Sequence, residues 1–169
     1  MIADNYLSIM NWTDKEKKLN YEQAKDKALR LLTFRAHSEK ELSDKLTHAG
    51  TESEDIERIL SFCREYKFVD DRQYAIRKAK DLLYLKKFGK RRIISELYAK
   101  GISSDLIDEA IAELEFDEDE LLGLVRKKLN GNFEQKSIDR CIRYFLYRGY
   151  DIYEIKRQIE TLKGEADEL

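Results

Sequence analysis

Along most of the chain, apolar residues recur at three- and four-residue spacing and charged residues fill the gaps, as in helices with one buried face. The punctuation is that of short helices. Ser38-Glu39-Lys40-Glu41 reads as a capping box, in which the serine hydroxyl accepts an exposed N–H and Glu41 reaches back. Gly50 closes that helix, because glycine enters the left-handed C′ conformation cheaply. Asp70-Asp71-Arg72-Gln73 and Asp117-Glu118-Asp119-Glu120 mark further starts, and Gly89, Gly101, Gly131 and Gly149 further stops. The pattern predicts nine helices, near 21–35, 38–49, 53–66, 70–87, 90–100, 103–114, 117–129, 134–148 and 151–163.

A repeat organises these helices. Aligned on Gly50, Gly101 and Gly149, the residues four before each glycine are Leu46, Leu97 and Phe145. Eight before stand Leu42, Ile93 and Cys141; six after, Ile56, Ile107 and Ile155; ten after, Leu60, Ile111 and Ile159. These spacings put each pair on one face of the helices flanking its glycine. Gly101 lies 51 residues after Gly50, and Gly149 lies 48 after Gly101. The expected fold is therefore all-α: three tandem three-helix units, helix-turn-helix-like in outline, arrayed so that neighbours bury faces against one another.

Composition agrees and narrows the function. With 7 glycines and no proline, the chain lacks the turn-formers of an all-β fold. Charged residues make up 39% of it, so the helices must carry heavily solvated faces. No apolar run approaches a membrane span, and the N-terminus lacks the order of a secretory signal. Cys63 and Cys141 sit among apolar helical positions, which suits buried free thiols and a cytoplasmic setting. His37 and His48 have no metal-site spacing around them, and neither a phosphate-binding loop nor a nucleophile elbow is present. A binding protein without cofactor or metal is expected, rather than an enzyme.

The net charge of −2 hides segregation. From Arg77 to Arg92 there are eight basic residues and one acid; from Asp105 to Glu120 there are nine acids and no base. The acids from Asp117 to Glu120 are explained by helix capping, or else belong to an acidic surface that meets a basic partner. At 100° per residue, Ile138, Cys141, Ile142, Phe145 and Gly149 share one side of the helix 134–148, with Lys136, Arg140, Arg143 and Tyr147 opposite. Helix 70–87 turns Ala75, Ala79 and Leu82 inward and groups Arg77, Lys80, Tyr84 and Lys87 elsewhere. Such basic faces attract phosphates or carboxylates, and a tyrosine ring can stack on an unpaired base.

Four motifs in order resemble the RecX family. Arg35, Ser38, Glu41, Leu42, Lys45, Leu46 and Gly50 resemble its R-x-x-S-x-x-E-L-x-x-K-L-x-x-x-G opening. Val69-Asp70-Asp71 with Tyr74-Ala75 is similar to its hydrophobic-D-D-x-x-(F/Y)-A segment. Gly89, Arg92-Ile93, Glu96-Leu97 and Lys100-Gly101-Ile102 resemble G-x-x-R-I-x-x-E-L-x-x-K-G-I, with Lys90 where many members carry proline. Arg143-Tyr144-Phe145-Leu146 and Arg148-Gly149-Tyr150 resemble the closing block. The resemblance implies an elongated, curved monomer that binds the RecA recombinase filament and modulates, most often inhibits, its ATPase and strand exchange in recombination and DNA repair. It also implies weak, non-sequence-specific binding to single- or double-stranded DNA.

The expected layout is an extension over 1–20, repeats over 21–67, 68–115 and 116–163, and a tail over 164–169. Tyr6, Leu7, Ile9 and Trp12 give the extension apolar residues that could dock on the first unit. The expected contact residues are Arg77, Lys80, Tyr84, Lys86, Lys87, Lys90, Arg91, Arg92, Lys136, Arg140, Arg143 and Tyr147. Reversing the charges of Lys87, Arg91 and Arg92 together is expected to weaken filament binding without unfolding the chain. The competing classes are a helix-turn-helix DNA-binding or transcription-regulating module and a non-catalytic protein scaffold. The first suffers from acids at the start of helices 53–66 and 103–114, where a groove-reading helix needs Arg, Asn or Gln.

Overall fold

The protein is described here by a computed structural model covering residues 18–167. Nine α-helices lie within them: α1 (Tyr21–Phe34), α2 (Glu39–Thr47), α3 (Ser53–Glu65), α4 (Asp71–Lys80), α5 (Lys90–Ala99), α6 (Ser104–Ala112), α7 (Glu118–Leu129), α8 (Gln135–Tyr147) and α9 (Ile152–Asp167). A π-helical turn, Asp81–Leu85, continues α4. Most ends fall within two residues of the predicted ones, but α9 runs on to Asp167. No described helix is long and apolar enough to cross a membrane. The expected docking of Tyr6, Leu7, Ile9 and Trp12 lies outside the described residues. The chain divides into two compact units, the first ending at Asp71 and the second beginning at Arg72.

In the first unit, α1–α3 close over Ala24, Ala28, Leu42, Leu46, Ile56, Ile59, Leu60 and Cys63. Asn20 and Gln23 form a reciprocal capping box at the start of α1: Asn20 Oδ1 accepts from the Gln23 N–H at 3.0 Å, and Gln23 Oε1 accepts from the Asn20 N–H at 3.2 Å. At α2, Ser38 Oγ accepts the Glu41 N–H at 3.2 Å, as expected. The Glu41 carboxylate is gripped from in front by both terminal nitrogens of Arg35. Asp71 Oδ1 takes the Glu39 N–H at 2.9 Å, so the acid that opens α4 also caps α2. His37 is buried beside this cap, its Nδ1 2.9 Å from the Arg35 carbonyl.

The second unit holds two further three-helix layers. Ile93, Leu97, Ile107, Ala110 and Ile111 fill the layer of α4–α6; Leu121, Val125, Cys141, Phe145, Ile155 and Ile159 fill that of α7–α9. All twelve repeat positions inferred from the glycine register are buried, and both cysteines are buried free thiols. The register extends to the backbone. Thr51, Ile102 and Tyr150 each donate to the carbonyl five residues back (Leu46, Leu97 and Phe145) at 3.1–3.2 Å. The preceding glycines donate three residues back at 2.9–3.0 Å, completing the same C-terminal motif three times.

Gly89 departs from its expected role as a stop. Its φ is −74°, an ordinary N-cap value, and the left-handed residue that ends the preceding helix is Lys87, at +53°. Gly89 is glycine for another reason. A Cβ there would fall on the carbonyl of Gly149, and a Cβ on Gly149 would fall on the backbone of Arg92. The two backbones touch, and they exchange hydrogen bonds: Gly89 N–H to Arg148 O at 2.8 Å, and Arg91 N–H to Gly149 O at 3.2 Å.

Two outcomes follow from these positions. Gly149→Ala meets both a φ of +89° and a backbone collision, so it should cost about 3 kcal/mol or more in urea unfolding. Gly123→Ala, inside α7 with open space around it, should instead stabilise by about 0.5–1 kcal/mol.

A third outcome concerns pH. Burial pushes the His37 pKa below its ordinary value, with the Arg35 carbonyl partly opposing the shift. A depressed folded pKa means the neutral ring is native. Its contribution is therefore complete above the unfolded value of about 6.5 and is lost as pH falls toward the folded one. His37→Gln should flatten the stability profile of the chain below that pH, read by thermal melts across buffers.

Candidate functional site

The exposed side of α8 is the one predicted. Ile138, Cys141 and Phe145 are buried, while Lys136, Arg140, Arg143 and Tyr147 face solvent, Tyr147 with 74% of its surface exposed. Tyr144, absent from the expectation, joins them at 40% exposure, its ring set edge-on to Phe145 with centroids 5.0 Å apart. Lys128 at the end of α7 places its Nζ 4.3 Å from the centre of the Tyr144 ring. Between α7 and α8 opens a groove of about 640 Å³ lined by Lys128, Asn130, Asn132, Arg140, Arg143, Tyr144 and Tyr147. The sequence signal for Lys128 was the run Arg126-Lys127-Lys128, which ordinary helix-dipole compensation explains equally well.

The basic turn reaches this surface. The Arg92 guanidinium lies 5.3 Å from the Tyr147 ring centre and 5.6 Å from that of Phe88. Arg148 lies 5.0 Å from the Phe88 ring and 5.4 Å from the Tyr144 ring. Its Nε donates to the Lys87 carbonyl at 3.2 Å, and a terminal nitrogen donates to the Lys86 carbonyl. The Tyr150 hydroxyl donates to the Lys87 carbonyl as well, at 3.2 Å. Burial first, and then the nearby Glu120 carboxylate, push the Tyr150 pKa up to about 12, so the hydroxyl remains a donor throughout the working pH range.

The other expected contacts separate into two groups. Lys86, Lys90, Lys136 and Arg143 form no ion pair among the described residues and are exposed. Arg140 is exposed too, its guanidinium turned onto Lys136 O and Ser137 Oγ of its own helix. Lys87 pairs with Glu120, and Arg91 pairs with Asp151 at 2.5 Å; both pairs tie the second repeat to the third. Arg92 pairs with Glu96 at 2.7 Å, and Lys80 with Glu113 at 3.7 Å. Arg77 turns its Nε back onto the Gln73 carbonyl.

The expected single stripe along 70–87 is thereby corrected. Regular 100° spacing ends at Lys80, where the π turn begins, and the left-handed Lys87 then swings away from Tyr84 toward α7. Two of the three residues named for charge reversal, Lys87 and Arg91, make ion pairs between repeats, so that variant touches the junction as well as the exposed surface.

The acidic run is largely accounted for within the chain. Glu109 pairs with Arg72 at 2.6 Å and Glu118 with Arg157 at 2.8 Å, in addition to Glu113 and Glu120 above. Asp117 caps α7 by accepting the Asp119 N–H at 2.9 Å. Of the acids from Asp117 to Glu120, Asp117 caps the helix, while Glu118 and Glu120 are taken up in ion pairs within the chain.

Comparison with known proteins agrees with this architecture. The family model for the first three-helix domain of RecX matches residues 24–63, and that for the second matches residues 70–111. The regulatory protein RecX of Vibrio vulnificus (strain CMCP6) is 38% identical over 135 residues, covering 78% of this chain and 88% of that protein. The regulatory protein RecX of Clostridioides difficile (strain 630) is 33% identical over 147 residues, covering 84% of this chain and 69% of that protein. The crystal structure of RecX from Lactobacillus salivarius superposes with a TM-score of 0.73 at 19% identity, covering 85% of this chain and 96% of that one; this likeness bears on the fold.

The division of the basic residues has a measurable consequence. Lys87→Glu faces Glu120 across the junction and should lower stability by about 1–2 kcal/mol in denaturant melts. Arg143→Glu, on the open face of α8, should change it by less than about 0.5 kcal/mol.

Proposed function

Because the chain belongs to the RecX family of regulatory proteins, we propose that it binds the RecA nucleoprotein filament and inhibits RecA ATPase and strand exchange, thereby restraining recombination and repair. It does so by occupancy rather than catalysis, without cofactor, as a cytoplasmic monomer. The layout of three repeats after a short N-terminal extension belongs to the same proposal.

The observation that carries the reading is the α8 face. Lys136 and Arg143 form no ion pair there among the described residues, whereas Lys80, Lys87, Arg91 and Arg92 are each paired. Beside them, Tyr144 and Tyr147 offer ring faces bordered by Lys128, Arg92 and Arg148. Cations track phosphates, and exposed rings stack on unpaired bases regardless of sequence. That combination suits weak, non-specific contact with the DNA strand inside a filament. The free cations also suit carboxylates on the filament protein. A sequence-reading helix-turn-helix module fits less well, because the third helices α3 and α6 open with Glu54, Asp55 and Asp105, which repel phosphates.

A single-strand-dependent RecA ATPase assay with substoichiometric protein tests the proposal. Inhibition is expected below one chain per several RecA protomers. Arg140→Glu with Arg143→Glu should raise the half-inhibiting concentration by about tenfold or more, with an unchanged melting temperature. An unaltered ATPase across all ratios would refute the reading. A steep salt dependence assigns the face to phosphates, and a shallow one to a protein surface.

A further inference from the structure

Resting on that filament reading, we infer that Arg148 is the positioning residue that makes one rigid binding surface out of two separate basic segments, the turn at Lys86–Arg92 and the face of α8. Arg148, 61 residues after Lys87 and 62 after Lys86, bridges them. Its guanidinium donates to the carbonyls of Lys86 and Lys87 and lies between the rings of Phe88 on the turn and Tyr144 on α8.

The carbonyls it takes are left open by local backbone geometry. After the π turn, Lys86, Lys87 and Phe88 donate back to Asp81, Leu83 and Leu82, and left-handed Lys87 turns the chain out of the helix. The Lys86 and Lys87 carbonyls then face the third repeat rather than a following turn of helix. A planar fork with several fixed donors meets two such acceptors at once, which an ammonium cannot do in the same geometry. Tyr150 completes the clamp by donating its hydroxyl to the Lys87 carbonyl.

The equivalent position just before the repeat glycine is Ala49 in the first repeat and Lys100 in the second, so the guanidinium is peculiar to the third. Arg148 is itself only partly exposed, and the clamp commits it to the two carbonyls. Its effect on binding runs through Lys86 and Lys90, the free cations on the turn that it holds.

Two segments fixed on one body bind with the second contact already paid for in entropy, whereas a loose turn contributes little. The predicted signature is therefore non-additivity. Fluorescence anisotropy of the labelled chain on RecA filaments assembled on poly(dT) provides the measurement. In the wild-type background, Lys86→Ala with Lys90→Ala should weaken binding by about fivefold to tenfold. In an Arg148→Ala background the same pair should cost less than about twofold, while Arg140→Glu with Arg143→Glu keeps its full effect.

Arg148→Lys keeps the charge and loses the fork, and should behave like Arg148→Ala. If Arg148→Ala does not fold, Tyr150→Phe, which removes only the hydroxyl from the same clamp, should show a smaller loss of coupling in the same direction. Equal losses in all backgrounds at unchanged melting temperature, or full rescue by lysine, would overturn the role of Arg148 and leave the filament reading standing. Failure of the wild-type chain to bind these filaments would overturn both.

Discussion

Where Gly89 meets Gly149, two backbones approach to a distance that leaves no room for a Cβ on either side. Everything distinctive about the second unit is arranged around that contact. Removing both side chains lets the N–H of Gly89 and the carbonyl of Gly149 find partners across the junction instead of being buried unpaired. The cost is borne by the chain on each side. Before Gly89 the helix must end abruptly, through a π turn and a left-handed lysine; before Gly149 it ends in the same glycine motif used twice earlier. The carbonyls freed by the first ending are then consumed by Arg148 and Tyr150 from the second. The contact therefore explains the unusual backbone, and the unusual backbone explains the placement of two side chains.

The segregated charges acquire a simple meaning in this frame. Two members of the basic run from Arg77 to Arg92 meet the acidic run from Asp105 to Glu120: Lys80 with Glu113 inside the second repeat, and Lys87 with Glu120 across the junction. Such half-exposed pairs each contribute little to stability. Their larger effect is to cancel fields locally, so that the net charge of −2 does not spread evenly over the surface. On α8 and the turn, Lys86, Lys90, Lys136 and Arg143 form no ion pair among the described residues, and α8 also exposes Tyr144 and Tyr147. A weakly acidic protein can thus present one basic face.

The sequence made the fold legible because its information is local. The repeat is written in apolar residues four apart on either side of a glycine, and all twelve of those positions are buried. The face of α8 was legible for the same reason, since a regular helix of thirteen residues obeys one angular rule throughout. Where regularity breaks, the reading breaks. Angular spacing carried through Asp81–Leu85 put Lys87 beside Tyr84, whereas one wide turn and one positive φ send it to Glu120. Tyr144 was missed because it borders the buried stripe of α8, a place where pattern alone does not separate half-buried from core. Gly89 and Arg148 were beyond any local rule: what each requires is a partner some sixty residues away, and a single chain read linearly holds no sign of that pairing.

Repetition also shows where the three units stopped being equivalent. The core register is the same in all of them, so packing cannot distinguish one from another. The surface positions equivalent to Arg140, Arg143, Tyr144 and Tyr147 are Glu41, Asp44, Lys45 and His48 in the first repeat, and Arg92, Ser95, Glu96 and Ala99 in the second. In the first, Glu41 binds Arg35 and Asp44 binds Lys40; in the second, Arg92 and Glu96 bind each other. Those substitutions turn the same helix face toward holding its own unit together. The third repeat alone keeps two arginines and two tyrosines there, with no acid among the four positions to neutralise them. A face that contributes least to its own fold is the one free to contribute to another molecule, and the junction at Gly89 and Gly149 sets which neighbouring cations stand beside it.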